Sequence, residues 1–180
     1  MVQKLKTKYI DEVRPNLKET FQYANIHQSP KIEKIQINRG LGVNAANSKT
    51  LQKSIQEFRT ITGQQPVVTK SKKSIAGFKI REEMELGITT TLRSEKMYAF
   101  LDRFINLVLP RIRDFQGLNP KNFDKFGNYN MGLTDQLVFP EIEYEQVDQT
   151  LGLNITIVTT AKNSEESLAL LKGMGVPFSK

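Results

Sequence analysis

Apolar residues along this chain switch between two spacings, and the switches mark the elements. Ile10, Val13, Leu17 and Phe21 recur three and four apart, which predicts an opening helix with Pro15 near its first turn or a kink. From Lys31 to Asn38 the period drops to two. Ile35 and Ile37 face inward there and Gln36 and Asn38 outward, while Ile32 breaks the phase as a bulge or a late start would. Helical spacing returns at Leu51, Ile55, Phe58 and Ile61, between an Asn47-Ser48 cap and Gly63 at the C-terminal cap position. Val67-Val68-Thr69 and Ile88-Thr89-Thr90-Thr91-Leu92 read as strands. Ser94 then caps a helix carrying Met97, Phe100, Leu101, Phe104, Ile105 and Val108, which Pro110 ends. Leu153, Ile155 and Ile157 alternate in a last strand. Ser164-Glu165-Glu166 opens a last helix with Leu168 and Leu171 inside, closed by Gly173, Gly175 and Pro177.

Between these elements, residues 111–140 lose all periodicity and accumulate Gly, Asn and Pro. That is too long for a passive connection, so the stretch predicts a contact surface or irregular strands. The element order gives an α+β fold, a single domain over residues 1–180, with an antiparallel sheet covered by helices on one face and open on the other. The open face would carry Gln36, Asn38, Thr89, Thr91, Arg93, Asn154 and Thr156. An ordinary solvated face more usually shows Lys and Glu. Short donors and acceptors suit sugar hydroxyls and base edges, so this face fits RNA.

Charge sharpens that expectation. The formal net charge is +7, and it is uneven: residues 1–126 hold 23 Lys and Arg against 12 Asp and Glu, residues 127–180 hold 3 against 7. Lys72, Lys73, Lys79 and Arg81 cluster in one long loop, spanning residues 71–86 and entered from Lys70, among Ser71, Ser74, Ala76 and Gly77 with a single aromatic, Phe78. One basic run alone suggests a solvated loop. Together with a basic body and an open polar sheet face, it reads as a surface for a phosphate backbone, where each cation displaces a condensed counterion.

Other chemistries find little support. There is no cysteine, and the lone histidine, His27, sits in a turn between Asn25-Ile26 and Gln28-Ser29-Pro30 as a structural residue. No metal, cofactor or membrane partner is expected; no apolar run reaches membrane-spanning length, and MVQKLKTKYIDEV has neither a signal-peptide core nor a transit-peptide look. Gly40-Leu41-Gly42-Val43-Asn44-Ala45 has dinucleotide-binding spacing, but Thr69-Lys70 stands where the following acid belongs, so a glycine turn leaving a strand is the better reading. Glu82, Glu83 and Glu85 read as a solvated acidic flank. No nucleophile stands with a base, which argues against an enzyme.

Several strings then carry a specific resemblance. Gly63-Gln64-Gln65-Pro66, the run from Thr69 to Arg81, Thr91-Leu92-Arg93, the run from Leu109 to Phe115, Gly127-Asn128-Tyr129-Asn130-Met131-Gly132, Phe139-Pro140-Glu141-Ile142 and Ile157-Val158-Thr159-Thr160-Ala161 resemble large-subunit ribosomal protein five, the bacterial-type 5S-rRNA-binding family. The likeness runs from about Tyr9 to Phe178. Phe21 to His27 and Ile37 to Gly42 look most like cyanobacterial and plastid members, and the Lys-, Asn- and Ile-rich composition suits an AT-rich plastid genome. The resemblance implies a structural protein of the central protuberance, in a plastid ribosome or alternatively a cyanobacterial one. It would hold 5S rRNA against 23S rRNA beside neighbouring central-protuberance proteins, and touch a small-subunit head protein across an intersubunit bridge. It implies 5S rRNA contacts at Asn38, Gln64, Phe78 and Thr91, which Arg93 of the open face would join. It also implies a loop that reaches P-site tRNA from Ser71 to Arg81, through Ser71, Lys72, Lys73, Ser74, Lys79 and Arg81.

By chain order, Lys72 and Lys73 would lie nearest the loop's tip and Phe78 closer to the sheet. Two departures stand out: Glu85 replaces a usual Pro, making the loop base more acidic and freer, and Phe123-Asp124-Lys125-Phe126-Gly127 replaces a usual Phe-Asp-Gly-Arg-Gly. A free RNA-binding or assembly factor acting off the ribosome is the alternative to a ribosomal constituent. A small nucleotide-dependent enzyme built on Gly40 to Ala45 is the more distant one.

Overall fold

Along β1 (Ile32–Gly40), Ile32, Ile35, Ile37 and Arg39 are buried while Gln36 and Gly40 are exposed. The inward series therefore alternates from Ile35 onward, and two residues instead of one separate Ile32 from Ile35, which is the expected break in phase. The computed structural model describes residues 4–42, 48–144, 147 and 149–179. Within them, β1, β2 (Val67–Lys70), β3 (Glu85–Leu92), β4 (Tyr129–Leu133) and β5 (Leu153–Thr159) form one five-stranded antiparallel sheet in the order β2-β3-β1-β5-β4. With helices packed against it, the fold is the α+β arrangement that the periodicity predicts. β4 comes out of the aperiodic stretch 111–140, so that stretch does contain a strand, flanked by single 3-10 turns at Pro120–Asn122 and Gln136–Val138.

Backbone proximity gathers the chain into two compact units. The first comprises Met1–Ile35, Arg93–Met131 and Thr156–Lys180, the second Gln36–Leu92 and Gly132–Ile155.

The first unit holds α1 (Lys4–Lys8), α2 (Arg14–Phe21), α4 (Ser94–Arg103) and α5 (Ser164–Met174). Each of its two long helical runs contains a π turn, Tyr9–Val13 between α1 and α2 and Phe104–Val108 after α4. Proline explains both. Pro15 and Pro110 each stand two residues past the π turn, and a proline ring inside a helix clashes with the carbonyl four residues back, here Asp11 and Asn106. Widening the turn relieves the clash, and the residue before each proline bonds five back: Arg14 N–H to Tyr9 O, Leu109 N–H to Phe104 O. The extra residue shifts the phase of the first run. Leu5, Tyr9, Val13 and Leu17, four apart, form the buried stripe, whereas Ile10 turns to solvent and Phe21 is only half-buried.

Opposite this stripe, a Cβ added to Gly173 of α5 would meet Val13 at 2.9 Å, so glycine permits that close approach. Leu170, Leu171 and Met174, with Ser167, are the buried residues of α5 in place of Leu168, and Gly175 closes the helix at φ 98°. Ser94 does not cap α4: Arg93 holds the N-cap position in an extended conformation, and Ser94 takes φ 52°. Phe123, Tyr129 and Phe178 pack ring against ring at 4.8–5.8 Å.

In the second unit, α3 (Ser48–Thr62) lies on β3 and buries Leu51, Phe58 and Ile61, with Ser54 more deeply buried than Ile55. The Asn47-Ser48 cap lies outside the described residues and side chains, as do Val43, Asn44 and Ala45 of the glycine-led motif. Gly63, at φ 64°, ends the helix as expected, its N–H bonding Arg59 O at 2.9 Å.

Beneath α3 lies a residue that the pattern of apolar positions hides. Arg39 is 0% exposed; its Nη1 bonds Glu57 Oε2 at 2.5 Å and its guanidinium lies 4.9 Å from the centre of the Phe58 ring. Pairing and the ring face offset part of the cost of burying the charge, while Nε and Nη2 are buried without a hydrogen-bond partner. The Arg39 carbonyl oxygen would sit 2.5 Å from a Cβ on Gly87, so β3 needs glycine where it passes this point.

Candidate nucleic-acid interface

Strands β2 and β3 are the two sides of a hairpin, paired Val67 with Thr89, Val68 with Ile88, Thr69 with Gly87 and Lys70 with Glu85, with a register shift between Thr69 and Lys70. Glu85 thus stands in the ladder opposite a cation. The base of the loop is paired, not freed, by the residue that replaces proline. Past the ladder the hairpin continues as an arm. Ser71 N–H bonds Met84 O at 2.8 Å, Glu83 N–H bonds Ser71 O at 3.0 Å, and Ile75 and Ile80 form an isolated antiparallel bridge. Beyond that bridge a 3-10 turn, Ala76–Phe78, and Lys79 at φ 54° close the tip.

This register corrects the expected order along the arm: Phe78 and Lys79 are at the tip, and Lys72 and Lys73 lie between it and the sheet. Chain order misleads because the two sides are unequal, and the turn falls after Ile75. Ser71 and Ser74, expected as tRNA contacts, also brace the arm. Ser71 Oγ donates to Lys73 O at 2.7 Å, and Ser74 Oγ accepts from Glu82 N–H at 2.9 Å. Small residues thus serve as hydrogen-bonding props in a bonded arm. Its surface is open: residues 72–79 are all exposed, Phe78 at 68%. Lys72, Lys73, Lys79 and Arg81 flank Ile75 and Phe78 along the exposed arm, cations for phosphates in the same segment as a ring for a base.

Next to the arm, the second unit presents the outward positions of β1 and β3. Asn38, Thr89 and Thr91 are half-buried and Gln36 is exposed. Gln36 Nε2 donates to Thr89 Oγ1 at 3.4 Å, and Thr89 Oγ1 to Ile37 O at 3.3 Å. Gln64 joins from the end of α3. Its backbone N–H donates to Thr62 Oγ1 at 3.2 Å, and its side-chain amide reaches Thr91 O at 3.2 Å. Gly63 makes this possible by turning the chain back toward β3. Asn38, Gln64 and Thr91 therefore belong to one unit with the arm. Asn154 is exposed in that unit too.

Arg93 belongs to the first unit. Its Nη1 lies 3.7 Å from Glu33 Oε1, both side chains half or more exposed, a screened pair that leaves the guanidinium available. Also in that unit, Thr156 Oγ1 donates to Asn130 Oδ1 at 2.7 Å.

Arg39 and Glu57 went unforeseen, yet the signal was present. Arg39 continues the Ile35, Ile37 alternation, and Glu57 falls among the inward positions of α3 beside Phe58. Gly42 takes φ 55°, and Leu41 N–H bonds Leu86 O at 2.8 Å, as a turn leaving a strand requires. Among the described residues, no group of three His, Cys, Asp or Glu could hold a metal ion, and no helix is long and apolar enough to cross a membrane.

Similarity to known proteins agrees with this geometry. Residues 25–81 match the family described as ribosomal protein L5, and residues 85–178 match the C-terminus of the ribosomal L5P family. The large ribosomal subunit protein uL5c of Heterosigma akashiwo is 64% identical over 180 residues, covering 100% of this chain and 99% of that protein. The uL5 protein of the Microcystis aeruginosa strain NIES-843 is 61% identical over 178 residues, covering 99% of each chain, and uL5c of Porphyra purpurea is 61% identical over 178 residues, covering 99% and 98%. The two family matches divide the chain within the arm, between Arg81 and Glu85, and together with the full-length relatives they make it a member of the ribosomal protein L5 family.

Proposed function

We propose that this protein is a non-enzymatic constituent of the large ribosomal subunit that binds 5S rRNA in the central protuberance and helps hold it against 23S rRNA. The observation that carries the reading is the pairing, within one unit, of a polar strand surface (Asn38, Gln64, Thr91) with a bonded, cation-rich arm tipped by Phe78. The strand residues offer directional donors and acceptors, the arm offers charge and a ring, and RNA recognition uses both.

In this reading Asn38, Gln64, Phe78 and Thr91 read 5S rRNA with Arg93 as a further contact. The arm from Ser71 to Arg81 reaches P-site tRNA, and another surface meets a small-subunit head protein. The relatives named uL5c from algae and uL5 from cyanobacteria favour a plastid ribosome, or a cyanobacterial one. Sedimentation of a tagged chain on a gradient, with its bound RNA identified, tests the proposal. Co-migration with large subunits and recovery of 5S rRNA are expected. RNA bound to a chain that never enters large subunits would instead identify a factor acting off the ribosome.

A further inference from the structure

A second aromatic stands clear of the protein, far along the chain from the arm. Phe126 is 74% exposed, more than Phe78, and Lys125 beside it is exposed as well. The turn that carries them is held from both sides. Asp124 Oδ1 accepts from Phe126 N–H at 2.9 Å and Asn128 N–H at 2.7 Å, and Oδ2 accepts from Asn128 Nδ2 at 2.8 Å. Asp124 N–H bonds Asn128 O at 2.9 Å across the base of the turn. Asn128 Oδ1 in turn accepts from Thr159 N–H at 3.2 Å, and Thr159 Oγ1 donates to Gly127 O at 2.9 Å, which ties the turn to β5.

Two phenylalanines three residues apart divide here. Phe123 packs into the cluster with Tyr129 and Phe178, while Phe126 points away from it. The only left-handed position in the turn is Gly127 at φ 77°, so Lys125 occupies its place without strain. An arginine stacks and carries charge in one side chain; Lys125 and Phe126 divide those two properties between neighbours. From Arg111 to Lys125 the chain holds four cations and two acids, and one of those acids, Asp124, is engaged with N–H donors of the turn itself.

We propose that the Lys125-Phe126 turn is a second RNA contact, in which the Phe126 ring stacks on an unpaired base and the Lys125 ammonium meets an adjacent phosphate. The inference rests on the RNA-binding reading above. A ring fixed on a braced turn loses little freedom when it stacks, and a base face accepts it whatever the sequence.

The test uses large subunits assembled with the full chain. p-Benzoylphenylalanine placed at position 126 is expected to crosslink to rRNA on irradiation. Phe126→Ala is expected to keep the thermal midpoint of the free protein yet speed its loss from salt-washed subunits on the order of tenfold. Phe126→Tyr, which keeps a stacking ring, should restore retention. Crosslinks to protein alone, or retention of Phe126→Ala equal to that of the unmodified chain, overturn this inference and leave the proposed function standing. Failure of the unmodified chain to enter large subunits overturns both.

Discussion

Gln64 donates from its side-chain amide to the backbone carbonyl of Thr91 at 3.2 Å, so two residues expected to touch RNA are first bonded to each other. Their substitutions should therefore differ. Thr91→Ala removes a hydroxyl and leaves that bond, so RNA affinity should fall by about 1 kcal/mol with the thermal midpoint nearly unchanged. Gln64→Ala removes the bond as well and should lower both. Titration with a 5S rRNA fragment beside thermal melts separates them, and an equal loss of stability in the two would refute the distinction.

The arm makes a prediction in salt. Lys72→Ala with Lys73→Ala should shallow the log–log salt dependence of RNA binding by ~1.8 if both engage duplex phosphates, whereas Phe78→Ala should weaken binding at an unchanged slope. Because Phe78 is at the tip, its loss should also speed release of P-site tRNA before it lowers 5S rRNA content. Off-rates and 5S rRNA content on variant ribosomes decide this, and a fall in 5S rRNA content alone would count against it.

Under α3, Glu57→Ala strands the Arg39 guanidinium in the core. Urea unfolding should show a loss of about 3–5 kcal/mol. Arg39→Met combined with Glu57→Leu should recover most of it, because an apolar pair leaves no buried charge. A double variant as unstable as the single one would contradict that account.

Asp124 supplies a pH dependence. Partial burial pushes its carboxyl upward, but hydrogen bonds from the Asn128 side chain, the Asn128 backbone and the Phe126 backbone together outweigh this and hold it below its ordinary value. A lowered folded-state value means that the ionised group stabilises the fold above the unfolded value of about 3.9, and that this contribution is lost as pH falls through the folded value. The gap in thermal midpoint between the natural protein and Asp124→Asn should hold steady from neutrality to about pH 5 and narrow below about pH 4. A gap of constant size down to acid pH would mean that the carboxylate charge is irrelevant.

Gly87→Ala should cost about 1–3 kcal/mol, toward the upper end, since its Cβ would meet the Arg39 backbone oxygen and backbone yields less readily than a side chain. Chemical denaturation measures it. A neutral result would show that β1 and β3 can separate locally.

Much of this was legible in the sequence because burial imposes a period. Ile35 and Ile37, Ile88 and Leu92, and Leu153, Ile155 and Ile157 each declare a strand face, and the short polar residues between them declare the other. Gly63 announced the end of α3, and so the place from which Gln64 reaches Thr91. The misses have separate physical origins. Ile10 was misplaced because a π turn changes the period on which the reading relies, and Ser94 because a left-handed backbone put it past the cap. Phe78 was set too near the sheet because chain order does not say where an arm folds back. Arg39 was overlooked because its charge masks its phase. Strand β4 was missed although Tyr129, Met131 and Leu133 alternate with Asn130 and Gly132, because five residues are a short signal inside a stretch otherwise rich in Gly, Asn and Pro.

The two proline-backed π turns bear on how chains of this kind are compared. Each is one residue absorbed by widening a single turn; past the first the chain resumes as α2, and past the second it closes in a 3-10 turn at Leu109–Arg111. A chain lacking one residue near positions 10–12 or 105–107, together with the proline that follows, could run as plain α-helix with its flanking buried residues in place. In an alignment such a chain would show a one-residue gap in mid-helix beside a lost proline. That gap would record a change of helical pitch, without any change in what the helix packs against.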